Sequence, residues 1–182
     1  MTSEGVQIVN RSLNPLVSVY MQDHLSFTAM TDDSPGPRAE LIDPAATVAF
    51  MLAGNAHVTF QSRRTDTRFT YRVVQAERRA GDTGELPHFV SVLVGPDNDR
   101  SYQYLGCIYR GLVYAHGKKS RIDSSAPNAV AFSWVWRRLS AGQAHPELAV
   151  YHEGRCGRCG RRLTTPESVS TGLGPVCARR QP

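Results

Sequence analysis

Three cysteines near the end of the chain, Cys156, Cys159 and Cys177, constrain its folding more than any other feature. Two thiolates separated by two residues can reach one metal ion from a single tight turn, and Gly157 and Gly160 free the backbone to make that turn. Cys177 comes eighteen positions after Cys159, behind the glycine-rich approach GLGPV, as a third ligand at the start of a terminal helix would. Structural zinc takes four ligands, so one more donor is required. His152, four positions before Cys156, is chemically suitable and near in sequence. His116, His145 and Cys107 are alternatives that require the rest of the chain to fold back onto the site, and a water or substrate in the fourth position would make the site catalytic. The expectation is one structural Zn2+ per chain. A redox dithiol is the competing reading of the cysteine pair, and it is disfavoured because no βαβ pattern precedes the pair and a third cysteine follows at ribbon-like spacing. Between the ligands, Thr165 can cap a short helix begun by Pro166 and ended by Gly172. Metal and helix together order a backbone that has almost no core of its own.

The remainder reads as an α+β body. Asp43, Pro44 and Gly54 bracket a short helix, DPAATVAFMLAG. Period-two strands follow at 57–62, 68–74, 88–94, 101–109 and 112–116, joined by short turn-rich connections that favour antiparallel pairing. In the second strand Phe69, Tyr71 and Val73 point one way and Arg68, Thr70 and Arg72 the other. A helical period returns over 127–141, with Val130, Trp134, Val135 and Leu139 on one face to cover the sheet. Cys107, inside the apolar run YLGCIY, reads as a small buried hydrophobe. Residues 1–40 show no sustained period and end in the loop-forming TDDSPGPR, so the expected division is a loop-rich extension over 1–40, an α+β domain over 41–148 and a zinc module over 149–182.

The residues of the module are also familiar as a pattern. The stretch RCGRCGRRLTTPESVSTGLGPVC resembles a domain family of uncharacterised function, common in phage and bacterial proteins, with the pattern CxxCGRxLTxPxSxxxGxGPxC. Cys156, Cys159, Gly160, Arg161, Leu163, Thr164, Pro166, Ser168, Gly172, Gly174, Pro175 and Cys177 all match it. The region 57–106 also resembles the upstream part of such phage-type proteins. The resemblance implies zinc binding and a mobile-element origin, and it implies no activity.

Charge narrows the function classes. The net charge of +5 is uneven: residues 1–151 carry 15 basic and 14 acidic side chains, whereas 152–182 carry six arginines against two glutamates. A basic module seeks phosphates. Arg63, Arg64, Arg68 and Arg72 on the first hairpin, Lys118 and Lys119 in a later loop, and Arg161 and Arg162 beside the cysteines are the candidate nucleic-acid contacts, for DNA or RNA. The alternative is an adaptor or inhibitor that engages a host or phage protein complex, with zinc purely structural. The sequence points away from an enzyme, because it contains no phosphate loop, nucleophile elbow or HExxH helix, and Glu153 directly beside His152 is not the HxE element of a zinc deaminase. No apolar run is long enough to span a membrane, and the N-terminus lacks the basic start and apolar stretch of a secretory signal, so the expected location is the cytoplasm, that of a host cell if the chain is phage encoded.

Overall fold

A computed structural model of the chain describes residues 39–81 and 83–180. The loop-rich extension expected over 1–40, with its apolar piece LVSVYM, lies almost wholly outside the described residues. The architecture is α+β: a seven-stranded antiparallel sheet carries a few helices, with the cysteine module at its C-terminal end. The strands are β1 (Ala39–Glu40), β2 (Asn55–Ser62), β3 (Arg68–Gln75), β4 (His88–Leu93), β5 (Tyr102–Tyr109), β6 (Val113–His116) and β7 (Leu148–His152). Their order across the sheet is β1-β7-β2-β3-β4-β5-β6. The run β2 to β6 is a meander, in which each strand pairs with the next in sequence.

The last strand breaks this order. Residues 148–152 have the look of an apolar lead-in, yet they enter the sheet between β1 and β2, pairing Phe60 with Val150 and Val58 with His152. The chain therefore reaches the cysteines from inside the sheet. Helix α1 (Pro44–Met51) starts as its sequence suggests, with the Asp43 carboxylate accepting from the Ala46 N–H at 2.7 Å. It stops at Met51, short of Gly54, and the chain then turns straight into β2.

Helix α2 (Pro127–Ser140) covers one face of the sheet. Its buried stripe is Ala129, Phe132, Val135, Trp136 and Leu139, centred one residue away from the face expected from the pattern. Val130 is 52% exposed and Trp134 only half-buried, with the Arg138 guanidinium stacked 4.4 Å from the centre of the Trp134 ring. Phe132 packs against Phe60, Tyr71 and Tyr114, whose ring centroids lie 4.8–5.9 Å from its own. Two polar tips fix the helix in place: the Tyr71 hydroxyl donates to the Asn128 carbonyl at 2.7 Å, and the Trp136 indole N–H donates to the Leu112 carbonyl at 2.9 Å.

On the other face the cross-strand registers line up polar and aromatic side chains. His57 stands beside Arg72, Arg72 beside Ser91, and Ser91 beside Tyr104. A β-bulge on β5 opposite Val90 and Ser91 resets the alternation, so that Leu105 and Ile108 reach the core while Tyr104 stays on the polar face. Replacing Tyr71 with Phe should lower unfolding stability by about 1 kcal/mol through loss of its bond to helix α2. Replacing the exposed Val130 with Glu should change stability by no more than about 0.5 kcal/mol, and chemical denaturation measures both.

Candidate metal centre

The module after β7 opens with a tight knuckle. The Cys156 N–H bonds the Arg161 carbonyl at 2.8 Å, and the Gly160 N–H bonds the Cys156 carbonyl at 2.9 Å. Helix α3 (Pro166–Thr171) follows, its Ser168 N–H bonding the Thr165 hydroxyl at 3.4 Å as the capping pattern requires. Gly172 ends it at φ 70°, and helix α4 (Pro175–Ala178) then presents Cys177.

This path brings the sulfurs of Cys156, Cys159 and Cys177 within 4.8 Å of one another. Sulfurs bonded at about 2.3 Å to one tetrahedral ion would lie roughly 3.8 Å apart, a spacing compatible with this cluster. The surroundings suit thiolates as well. Burial works against the charged form of Cys156, but it is outweighed by N–H groups of Gly174, Cys159 and Arg158 aimed at the sulfur, which hold the thiol down at about 7. The Gly174 N–H lies 3.5 Å from the Cys156 sulfur. Burial and the two neighbouring sulfurs push the Cys177 thiol up to about 11. A bound cation would remove that opposition and deprotonate all three. The donor set therefore fits a thiophilic ion.

His152 does not join them. Among the described residues, the group of metal-competent side chains at this site consists of the three cysteines. The His152 Nδ1 accepts from the Gly154 N–H at 3.0 Å, which leaves its proton on Nε2, and Nε2 donates to the Val169 carbonyl at 2.7 Å. Burial lowers its pKa, so the ring stays neutral. Both ring nitrogens are thus occupied in tying β7 to helix α3. The other histidines that the sequence offered are also engaged elsewhere: His116 bonds the Ile122 carbonyl at 3.0 Å, and His145 packs edge-on against Trp134. Cys107 is buried beside the Tyr104 hydroxyl at 3.2 Å.

Sequence reasoning missed the residue on which the knuckle rests. Phe50, the penultimate residue of helix α1, is 1% exposed and lies against the module. A Cβ on Gly172 would meet the Phe50 ring at 2.4 Å, and a Cβ on Gly157 would meet the same ring at 2.7 Å and the Phe50 carbonyl at 2.8 Å. The His152 ring lies 5.4 Å from that of Phe50. Gly160 supplies the turn conformation, at φ 71°, whereas Gly157 is required for close approach. The pattern of small residues was visible in the sequence, but its partner is more than one hundred positions away.

The candidate basic residues are dispersed. Arg63 pairs with Glu40, and Arg64 lies 3.6 Å from Glu147. Arg68 is exposed at the start of β3, while Arg72 is half-buried in the polar row with its Nε lacking a partner. Lys118 and Lys119 are exposed in the loop after β6, and Lys119 and Arg121 border Tyr104 at the end of that row. Arg161 and Arg162 are exposed on the knuckle.

A family model described as a family of unknown function (DUF6011) matches residues 146–182, which span β7 and the whole cysteine module. No curated protein and no solved structure matches the chain.

Substituting serine for Cys156 or Cys177 should abolish retention of metal, measured by elemental analysis after chelator dialysis. His152→Ala should keep one equivalent while losing about 2–3 kcal/mol of stability, because it empties a buried site and strands the Val169 carbonyl. Loss of the metal in that variant, at a concentration where the module remains folded by circular dichroism, would return His152 to the ligand set. Gly172→Ala should destabilise the protein by clearly more than Gly142→Ala, since both glycines have φ 70° but only Gly172 faces a ring.

Proposed function

We propose that this is a small nucleic-acid-binding protein in which a zinc ion, held by Cys156, Cys159 and Cys177, orders a basic knuckle. Zinc is the ion of choice because sulfur-rich sites of this spacing suit it and the site needs no redox chemistry. A mobile-element origin and a place in the cytoplasm belong to the same reading. No described helix is long and apolar enough to cross a membrane.

One observation carries the reading. Basic side chains stand at both ends of a single row on the sheet face away from helix α2: the knuckle arginines lie beyond His57, and Lys119 with Arg121 lies beyond Tyr104. Arg72 stands between them, and β2 to β5 spans three strand spacings, about 14 Å. A single strand laid along the row would meet cations at its phosphates and the rings of Tyr102 and Tyr104 at its bases. Arg68 extends the basic surface, as do Lys118, Arg161 and Arg162. Arg63 and Arg64 contribute less than their sequence position suggests, since Glu40 and Glu147 already face them.

A groove of about 650 Å³ between helix α2 and the β2–β3 hairpin, lined by Phe69, Val130, Trp134 and Leu148 among others, favours a second reading as a protein–protein adaptor. The two readings part on nucleic acid. Affinity for single-stranded oligonucleotides should fall linearly with the logarithm of salt concentration, and neutralising Lys119, Arg121 or Arg161 should each lower that slope by about 1. Neutralising Arg63 and Arg64 should change affinity by less than about threefold. Absence of binding at low salt overturns the nucleic-acid reading, and capture of a protein partner that survives nuclease treatment would support the adaptor.

A further inference from the structure

The polar row does not end in open solvent. Beyond His57 it runs into a pocket of about 220 Å³ whose far wall is the cysteine knuckle, lined by Asn55, His57, Asp99, Glu153, Arg155 and Cys156. Strand β2 and the knuckle are joined at its base by the Asn55 N–H bonding the Gly157 carbonyl at 2.7 Å. The Glu153 carboxylate lies 3.6 Å from His57 Nδ1, and the His57 ring is held edge-on by Tyr102 at 5.7 Å. Burial lowers the His57 pKa against the pull of Glu153, so the ring is neutral and the carboxylate keeps its accepting capacity.

The walls of this pocket offer acceptors, the Glu153 and Asp99 carboxylates and the Asn55 side-chain oxygen, beside one cation, Arg155. Its surroundings are basic. The knuckle that forms one wall belongs to the segment 152–182, which carries six arginines against two glutamates. With both signs of charge on the lining, neither a simple cation nor a simple anion matches it fully. An unpaired nucleotide suits both when its base brings N–H donors and its phosphates stay outside. Arg155 lines the same pocket and brings several guanidinium N–H groups to it. These offer donors to ring or carbonyl acceptors on the same ligand.

From this pocket, with carboxylates and a guanidinium on one lining and exposed arginines on the same knuckle, we infer that it receives one unpaired nucleobase bearing an exocyclic amine, which donates to the Glu153 carboxylate. A carboxylate accepting from such an amine is a known form of base readout. The inference rests on the nucleic-acid reading above and adds selectivity to it: cytosine is accepted, whereas thymine, with a carbonyl at the same place, sets two acceptors against each other. The pocket also explains why the knuckle must be seated, since an unseated knuckle would remove one wall.

The test is binding of the metal-loaded protein to labelled oligo-dC and oligo-dT of equal length at neutral pH, by fluorescence anisotropy. The oligo-dC should bind about tenfold more tightly, the ratio expected for one well-placed base contact. Glu153→Ala should bring the two affinities within about twofold while leaving the salt slope unchanged, since no phosphate contact is removed. Asp99→Ala, in an exposed loop, carries the same comparison if the first variant folds poorly. Equal affinities for the two strands in the native protein overturn the base pocket and leave the nucleic-acid reading standing, as does a preference that survives both substitutions. Failure of either strand to bind at low salt overturns both.

Discussion

The contact between the cysteine module and the ring of Phe50 is the constraint on which the rest of the molecule depends. Beyond β7, the buried residues of the module are Gly154, Cys156, Gly157, Ser168 and Gly172, and no large apolar side chain is among them. A segment of that composition cannot gain enough from burial to order itself. Three thiolates gathered on an ion close the loop between Cys159 and Cys177, but an ion alone does not orient the knuckle against anything. The ring of Phe50 does so, because two glycines allow the backbone to lie directly on it. Any side chain at those two positions would hold the knuckle off the sheet, even with the metal bound.

The sheet is built to deliver this contact. Strand β7 lies between β1 and β2, so the segment leading to the first cysteine is hydrogen-bonded on both sides. His152 is its last residue, and its ring fixes the distance from the strand to helix α3 by bonding the Val169 carbonyl. The Asn55 N–H extends the pairing of β2 onto Gly157 within the knuckle. These links and the Phe50 seat make the knuckle continuous with the sheet face away from helix α2. The cysteine module is a separate segment in sequence and in ligand chemistry, but its position is set by the strands.

The legibility of these features in the sequence follows the range of the interactions behind them. Alternation in β3 and β4, the Asp43 and Thr165 caps and the turn at Gly172 are local, and each could be read from a few neighbouring residues. The three cysteines were equally legible, because thiolate spacing speaks for itself. Strand β7 was hidden, since five residues, LAVYH, are too short to display a period and their pairing partners lie some ninety positions away. Helix α2 was recognised but its face was set one residue off, because Val130 and Trp134 are as apolar as the residues that bury. His152 shows the deeper limit. An imidazole near two cysteines has the same chemistry whether it binds a metal or bridges two backbone groups, and only the position of the Val169 carbonyl decides between them. The Phe50 seat left no local mark beyond a helix-borne phenylalanine, which ordinarily belongs to a core.

The placement of charge follows from the same arrangement. A divalent ion on three thiolates carries a net charge of about −1, so the metal does not make the knuckle attractive to phosphates. The arginines do, and on an unordered tail they would be distributed over a wide volume with little field at any one point. Fixing the turn places Arg161 and Arg162 on the exterior of the knuckle while its interior side faces Glu153, Asp99 and His57. Carboxylates and arginines are thereby brought together around one turn. On the proposed reading, that arrangement is what a ligand anionic along its backbone and hydrogen-bond-donating on its side groups would require. Gathering of the three thiolates and docking on Phe50 are consequences of a single local conformation, and the proposed ligand choice would follow from the same one.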